Sequence, residues 1–180
     1  MSKKKCFVFD LDNTLIETNR ANNDSYREAI LTVLGEKVEF KKKRFTRSDL
    51  SNFFPNISSS QINEIVKAKD VCYINHISET TLNIQLVKIL KFLNDECCEV
   101  ILLTNSHKSR AKCLCDYYQL SKFFKKQYYK ENYGDGDKYQ FLTQKGIQLS
   151  SVILFENEQE EILKAIQTGI NENQIINVKF

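Results

Sequence analysis

This sequence predicts an α/β fold: a doubly wound parallel sheet with a small all-helical insertion after its first strand. Three observations lead there. The apolar runs Cys6–Phe9, Glu99–Leu103 and Ser151–Phe155 have the length and composition of strands buried on both faces. Helical stretches separate the later runs, and strands alternating with helices imply parallel pairing through crossovers. Between the first run and the rest, from about Ile16 to Ser78, no stretch reads convincingly as a strand.

Taken in order, Asn19 to Leu34 carries Tyr26, Ala29, Ile30, Val33 and Leu34 at helical spacing, with Gly35 as the stop. A short helix follows Arg47 and ends at Pro55. Ser58 to Ile77 reads as another, with Ile62, Ile65, Val66, the Lys69 stem and Tyr73 on one side. Beyond the insertion, Thr81 to Asp95 is amphipathic through Leu82, Leu86, Ile89, Leu90 and Leu93. The strand at Glu99–Leu103 then leads to a helix from His107 to Gln119 with Ala111, Leu114, Cys115 and Tyr118 inward. Gln127 to Lys130 is a short strand, Gly134-Asp135-Gly136 a turn, and Tyr139 to Lys145 a helix closed by Gly146. After Ser151–Phe155, a helix from Ile162 to Thr168 stops at Gly169, and Ile175 to Phe180 is a last strand.

The bulk properties fit one core of 180 residues with an insertion: 42% hydrophobic, 27% charged, one Pro and five Gly leave no room for linkers or low-complexity sequence. Net charge is +3, with basic runs at Lys3-Lys4-Lys5 and Lys41-Lys42-Lys43-Arg44. These runs are short and lack interleaved aromatics, so they read as solvated flanks and nucleic acid is unsupported as a partner. The six cysteines form no C-x-x-C and have no His at zinc-finger spacing, which suggests free thiols in a reducing compartment. No apolar run approaches a membrane span and no secretory signal is visible, so the expected location is cytoplasmic. Nothing in the sequence bears on oligomeric state.

Chemistry is concentrated at the strand ends. Asp10 and Asp12 follow the first strand at i, i+2, where two like charges repel unless a cation or a reaction uses both. Thr104 and Asn105 end the second apolar run, and Glu156 and Asn157 end another, with Lys138 just before a helix between them. Parallel strands bring such ends to one edge of the sheet, where open α/β folds bind ligands. Carboxylates, a hydroxyl and an ammonium at one crevice are the inventory of phosphoryl transfer around Mg²⁺. Taken singly, an Asp-x-Asp pair is often only a turn or cap, Thr104 could cap the next helix, and Lys138 is one of many lysines. His76 and His107 stand alone in the sequence and read as surface or packing residues.

Together these residues resemble the haloacid dehalogenase (HAD) superfamily of phosphohydrolases. Asp10-Leu11-Asp12-Asn13-Thr14 is similar to its first motif, D-x-D-x-T; Leu103-Thr104-Asn105 to the second; Lys138 to the third; and Phe155-Glu156-Asn157 stands where the acidic fourth belongs. The resemblance implies a core of residues 1–15 and 79–180 and an α-helical cap of residues 16–78. It implies a phosphatase acting on a small phosphorylated metabolite, with Asp10 as nucleophile forming an aspartyl-phosphate and Asp12 as general acid and base. Thr104 and the Asn105 backbone would bind phosphoryl oxygens, and Lys138 would neutralise charge. Mg²⁺ would be held by Asp10, the Asp12 carbonyl and Glu156 or Asn157. Where Asp is usual the chain has Glu156, beside the uncharged Asn157. Glu160 or Glu161 could act through a water, but a solvated first helical turn is the preferred reading of both.

Arg20 and Arg47 are the insertion's candidates for substrate contact, Arg47 because Thr46-Arg47-Ser48-Asp49 resembles a cap segment of beta-phosphoglucomutase-like members. The resemblance also admits a phosphomutase using the same chemistry. The altered fourth motif motivates a reading of another class, a non-catalytic phosphate-binding or interaction protein.

Overall fold

A computed structural model describes residues 5–180; Lys3 and Lys4 of the first basic run lie outside the described residues. The chain divides into two compact units, Met1–Glu17 with Leu82–Phe180, and Thr18–Thr81.

The first unit is built on a five-stranded sheet in the order β5-β4-β1-β6-β7, with every pairing parallel. Its strands are β1 (Cys6–Phe9), β4 (Glu99–Leu103), β5 (Lys126–Tyr128), β6 (Val152–Glu156) and β7 (Ile175–Asn177). β1 is central, with Val8 opposite Ile101 on one side and Leu154 on the other. Burial on both faces explains the unbroken apolar runs. One face packs Val8, Ile101, Leu103 and Leu154 against Tyr139, Leu142 and Ala165, which come from α7 (Lys138–Gln144) and α8 (Gln159–Thr168). The alternate residues Phe9, Leu102 and Phe155 are equally buried, and the Phe9 and Phe155 rings stack at 4.3 Å. The remaining helices of this unit are α4 (Ile84–Asp95), α5 (Lys108–Tyr117) and α6 (Lys130–Tyr133).

The second unit contains α1 (Asn19–Leu34), α2 (Arg47–Phe53) and α3 (Ser59–Cys72). α1 ends where Gly35 adopts φ +72°, a left-handed conformation that glycine takes without a Cβ penalty. Tyr26, Ala29, Ile30, Phe45, Leu50 and Ile65 form its core. Two buried amides pin the loop before α2. Asn23 Nδ2 donates to the Lys42 and Lys43 carbonyls, its Oδ1 accepts from Phe45 N–H, and Asn22 Nδ2 donates to the Phe45 carbonyl. The boundaries lie at the two-residue strands β2 (Ile16–Glu17) and β3 (Thr81–Leu82).

Several elements differ from expectation. The amphipathic helix begins at Ile84, because Asn83 caps it by accepting from Leu86 N–H; Thr81 and Leu82 are extended. Its buried stripe runs through Leu86, Val87, Leu90 and Leu93, which turns Ile89 outward, 43% exposed. The expected helix from Ser58 to Ile77 ends at Cys72 and tightens into a 3₁₀ segment, Tyr73–Glu79. The strand expected at Gln127–Lys130 lies at Lys126–Tyr128, and the last strand is shorter than expected. All six cysteines are free thiols, and burial pushes those of Cys6 and Cys115 up to about 12. Among the described residues, no helix is long and apolar enough to cross a membrane.

Candidate active site

Asp10 follows β1 directly, and its N–H is held by the Phe155 carbonyl of the neighbouring strand. Its side chain is buried, so the strand end aims a carboxylate into the sheet's edge rather than into water. Burial, and then the charge of Glu156, hold this carboxyl well above the ordinary aspartate range, with Lys138 opposing them. The loop beyond is tight: Leu15 and Ile16 N–H donate to the Leu11 carbonyl, and Asn13 N–H donates to that of Ile16. Asn13 takes φ +57°, a left-handed turn that Asn tolerates better than most residues.

Lys138 opens α7, where Asp137 caps the helix through the N–H groups of Tyr139 and Gln140. Its Nζ lies 2.8 Å from Glu156 Oε2, 3.4 Å from Asp10 Oδ1 and 3.5 Å from Glu161 Oε2. Burial alone would lower its proton affinity; Asp10, Glu156 and Tyr139 reverse that and raise it well above the usual lysine range. The ammonium is therefore fixed as a cation. Glu156, at the end of β6, is saturated: Oε2 accepts from Lys138 and from the Tyr139 hydroxyl at 3.0 Å, and Oε1 from the N–H groups of Asn157 and Glu158. Asn157 Oδ1 accepts from Thr14 Oγ1 at 3.0 Å.

At the end of β4, Thr104 is buried and its hydroxyl accepts from Ser106 N–H at 3.1 Å, which leaves its proton to donate. Tyr133 places its hydroxyl 2.7 Å from the Thr104 carbonyl and 2.8 Å from Asn105 Oδ1. Asp12 Oδ2 accepts from the Ser106 hydroxyl and, at 2.6 Å, from Arg110 Nη2.

Asp10, Lys138 and Glu156 thus form one buried cluster, with Asn157 tied through Thr14 to the loop that follows Asp10. Arg20 and Arg47 belong to the helical unit. There Arg20, with its side chain 74% exposed, pairs with Glu79 at 3.2 Å and Asp24 at 3.8 Å. Arg47 donates to Asn63 Oδ1 at 2.7 Å. Neither histidine stands alone: His76 Nε2 is 2.7 Å from Glu28 and His107 Nδ1 is 3.1 Å from Glu131. Asp24, His76 and Glu79 bring ligand-type atoms within 4.8 Å of one another. Arg20 and Arg27 already balance the two acids.

Sequence reasoning missed the contacts of four groups. Glu161 is no solvated turn: it is 6% exposed and reaches Lys138. Its spacing from Ile162 and Ala165 marks the buried face of α8, a signal available in the sequence. Tyr139, Ser106 and Arg110 carried no such signal, since their partners Glu156 and Asp12 lie far from them along the chain.

Charge decides whether a cation suits this cluster. Three buried carboxylates, Asp10, Glu156 and Glu161, share the Lys138 ammonium, with Lys164 adding a partly exposed contact to Glu161. Burial first, and then the charges of Glu156 and Asp12, raise the Asp10 carboxyl, and a divalent cation would offset both causes.

The family of NLI interacting factor-like phosphatases matches the chain over residues 5–174. No curated protein matches it. Among solved structures it is similar to a haloacid dehalogenase-like family hydrolase from Streptococcus pneumoniae, at 22% identity and TM-score 0.73, covering 95% of this chain and 84% of that one. CbbY from Rhodobacter sphaeroides in complex with phosphate gives 14% identity and TM-score 0.80, covering 98% and 87%. A HAD hydrolase of family IA, variant 3, from Entamoeba histolytica gives 17% and 0.75, covering 92% and 81%. At such identities the likeness establishes the fold, the HAD core. The chain belongs to the NLI interacting factor-like phosphatase family, whose match spans nearly all of it.

Proposed function

We propose that the protein is a Mg²⁺-dependent phosphatase that hydrolyses a small phosphate monoester through an aspartyl-phosphate on Asp10. The observation that carries this reading is the buried cluster in which Lys138 joins Asp10 to Glu156 at the sheet's carboxyl edge. An Asp oxygen attacks phosphorus, the phosphorus–oxygen bond to the leaving group breaks, and Asp12 supplies the proton that the departing alkoxide needs. Water then attacks the acyl phosphate, Asp12 takes its proton, and inorganic phosphate leaves Asp10 in its original form. Thr104 donates its hydroxyl proton to a phosphoryl oxygen, and the Lys138 charge offsets the negative charge gathered there.

Asp10, the Asp12 carbonyl and Asn157 Oδ1 are the groups that would hold Mg²⁺, because all of Glu156's oxygen capacity is already taken by four donors. Glu156 then orients Lys138 and supplies charge from behind. When bound, the cation would neutralise the phosphoryl oxygens and Asp10 together. Arg20 and Arg47 are proposed to contribute to substrate selection; their alanine variants should raise KM and leave kcat nearly unchanged. A small phosphorylated metabolite is the proposed substrate class, in keeping with the phosphate complex of the CbbY relative and its complex with xylulose-(1,5)bisphosphate.

The test is hydrolysis of 4-nitrophenyl phosphate and of a panel of small phosphate esters with Mg²⁺, together with acid-quench isolation of a phosphorylated Asp10 peptide. Turnover that Asp10→Asn abolishes supports the reading. A protein that binds phosphate but turns over no ester in the panel would be a binding module instead. Mg²⁺ should also raise the Tm of the enzyme without substrate, by mass action on the folded state.

A further inference from the structure

The backbone around Asp12 is fixed by the turn from Leu11 to Ile16, but a fixed backbone leaves an aspartate side chain free to rotate about χ1 and χ2. Two donors reach its carboxylate from beyond the neighbouring strand, β4. Ser106 follows β4, and Arg110, in the first turn of α5, reaches back to its hydroxyl. Ser106 is itself anchored: its N–H donates to Thr104 Oγ1, its carbonyl accepts from Lys130 N–H, and its side chain is buried. Its hydroxyl and the Arg110 guanidinium converge on a single oxygen, Asp12 Oδ2, and Arg110 also donates to the Ser106 hydroxyl. The Arg110 and Asp12 side chains are only 13% and 16% exposed, so solvent competes weakly for the pair.

We infer that Arg110, working with Ser106, is a positioning residue that sets the direction of the Asp12 carboxylate for proton transfer to the leaving group. This rests on the reading of Asp12 as the leaving-group acid. Nothing in the motifs at the strand ends points to residue 110; the assignment comes from the three-way contact alone. Two donors on one oxygen fix both the tilt and the rotation of a carboxylate, and misplacing a reacting group by about an ångström can cost about a hundredfold in rate.

Leaving-group dependence separates positioning from mere support of the fold. An alkyl phosphate needs a proton on its departing oxygen, whereas 2,4-dinitrophenolate departs without one. Single-turnover release of the alcohol or phenol isolates the first step, which water does not enter. Arg110→Ala should slow release from glycerol 1-phosphate by about thirtyfold or more, and from 2,4-dinitrophenyl phosphate by about threefold or less. Arg110→Lys and added guanidinium should each restore part of the loss. Ser106→Ala should show the same pattern more weakly, and it stands in if Arg110→Ala does not fold. Equal losses with both esters, or no loss with either, would overturn the inference. Asp12→Asn is the control: if it fails to discriminate between the esters, the underlying reading of Asp12 fails; if it discriminates and Arg110→Ala does not, only the role of Arg110 falls.

Discussion

One buried aspartate of the sheet unit and one surface aspartate of the helical unit, Asp10 and Asp49, are shifted in opposite directions. In the sheet unit, burial and then Glu156 hold the Asp10 carboxyl well above its ordinary range. In the helical unit, a hydrogen bond from Lys42 and then one from Thr46 hold that of Asp49 below it. The sheet unit gathers charge inside, with Asp10 and Glu156 at the ends of the paired strands β1 and β6 and with Lys138 and Glu161 in the first turns of α7 and α8. The helical unit buries a single charge, Lys69, among its described residues, and otherwise fills its interior with aliphatic side chains, aromatic rings and the amides of Asn19, Asn22 and Asn23. A buried charge that destabilises a fold is tolerated where chemistry needs it, and the proposed reaction belongs to the unit that gathers four such charges.

The largest expected effect is on Asp10. Asp10→Asn should cut turnover at least about a thousandfold, since the amide is no nucleophile. It should not lower Tm. A carboxyl raised in the folded state makes the native protein bind more protons than the unfolded chain, so stability falls as pH rises from about 4 through the folded value. Thermal melts without metal should therefore show wild type losing stability above about pH 4 relative to Asp10→Asn. A variant that melts well below wild type at neutral pH would contradict the excess-charge account.

Next comes the cation. Lys138→Met leaves Asp10, Glu156 and Glu161 without their shared partner, and breaking a buried pair of this kind costs about 3–5 kcal/mol. The matching deletion in the helical unit, Lys42→Met, removes an ion pair whose lysine is 61% exposed and should cost about 1 kcal/mol or less. Urea melts of both variants check the pair. Equal losses would erase the contrast between the units.

That contrast was only half legible in the sequence. Strands buried on both faces announce themselves by composition alone, which is why β1, β4 and β6 were readable, and with them the edge where Asp10, Thr104 and Glu156 lie. Gly35 and Gly169 likewise marked helix ends, because few other residues accept their left-handed backbone. What escaped depends on helix phase. Glu161 is expected in a solvated first turn, whereas the phase of α8 puts it on the buried face with Ile162 and Ala165. Ile89 read as core until α4 was found to bury Val87 instead. Arg110 and Tyr139 act across strands, over separations of 98 and 17 residues, and no local pattern reports a contact of that kind.

Asn23 probes the neutral side of the comparison. Asn23→Ala strips partners from the Phe45 N–H and from the Lys42 and Lys43 carbonyls at once, an expected loss of about 1–3 kcal/mol. Hydrogen exchange should speed at Phe45 and through α2, while amides of β1 and β6 keep their protection. Spread of the effect into the sheet would show that the units do not hold their stability separately.

The smallest effect is at Asp49, and it closes the comparison with the opposite sign. Its Oδ2 accepts from Thr46 N–H at 2.8 Å and from the Thr46 hydroxyl, an N-terminal capping arrangement on α2. Asp49→Asn keeps the shape and removes the charge, so the loss at neutral pH should be about 1 kcal/mol or less. A carboxyl lowered in the folded state contributes stability above the unfolded value and loses it as pH falls below about 4. Wild type and Asp49→Asn should therefore converge below about pH 4, whereas wild type and Asp10→Asn separate above it. If both variants tracked wild type across the same window, the opposed titration of the two aspartates, and the division of labour read from it, would be wrong.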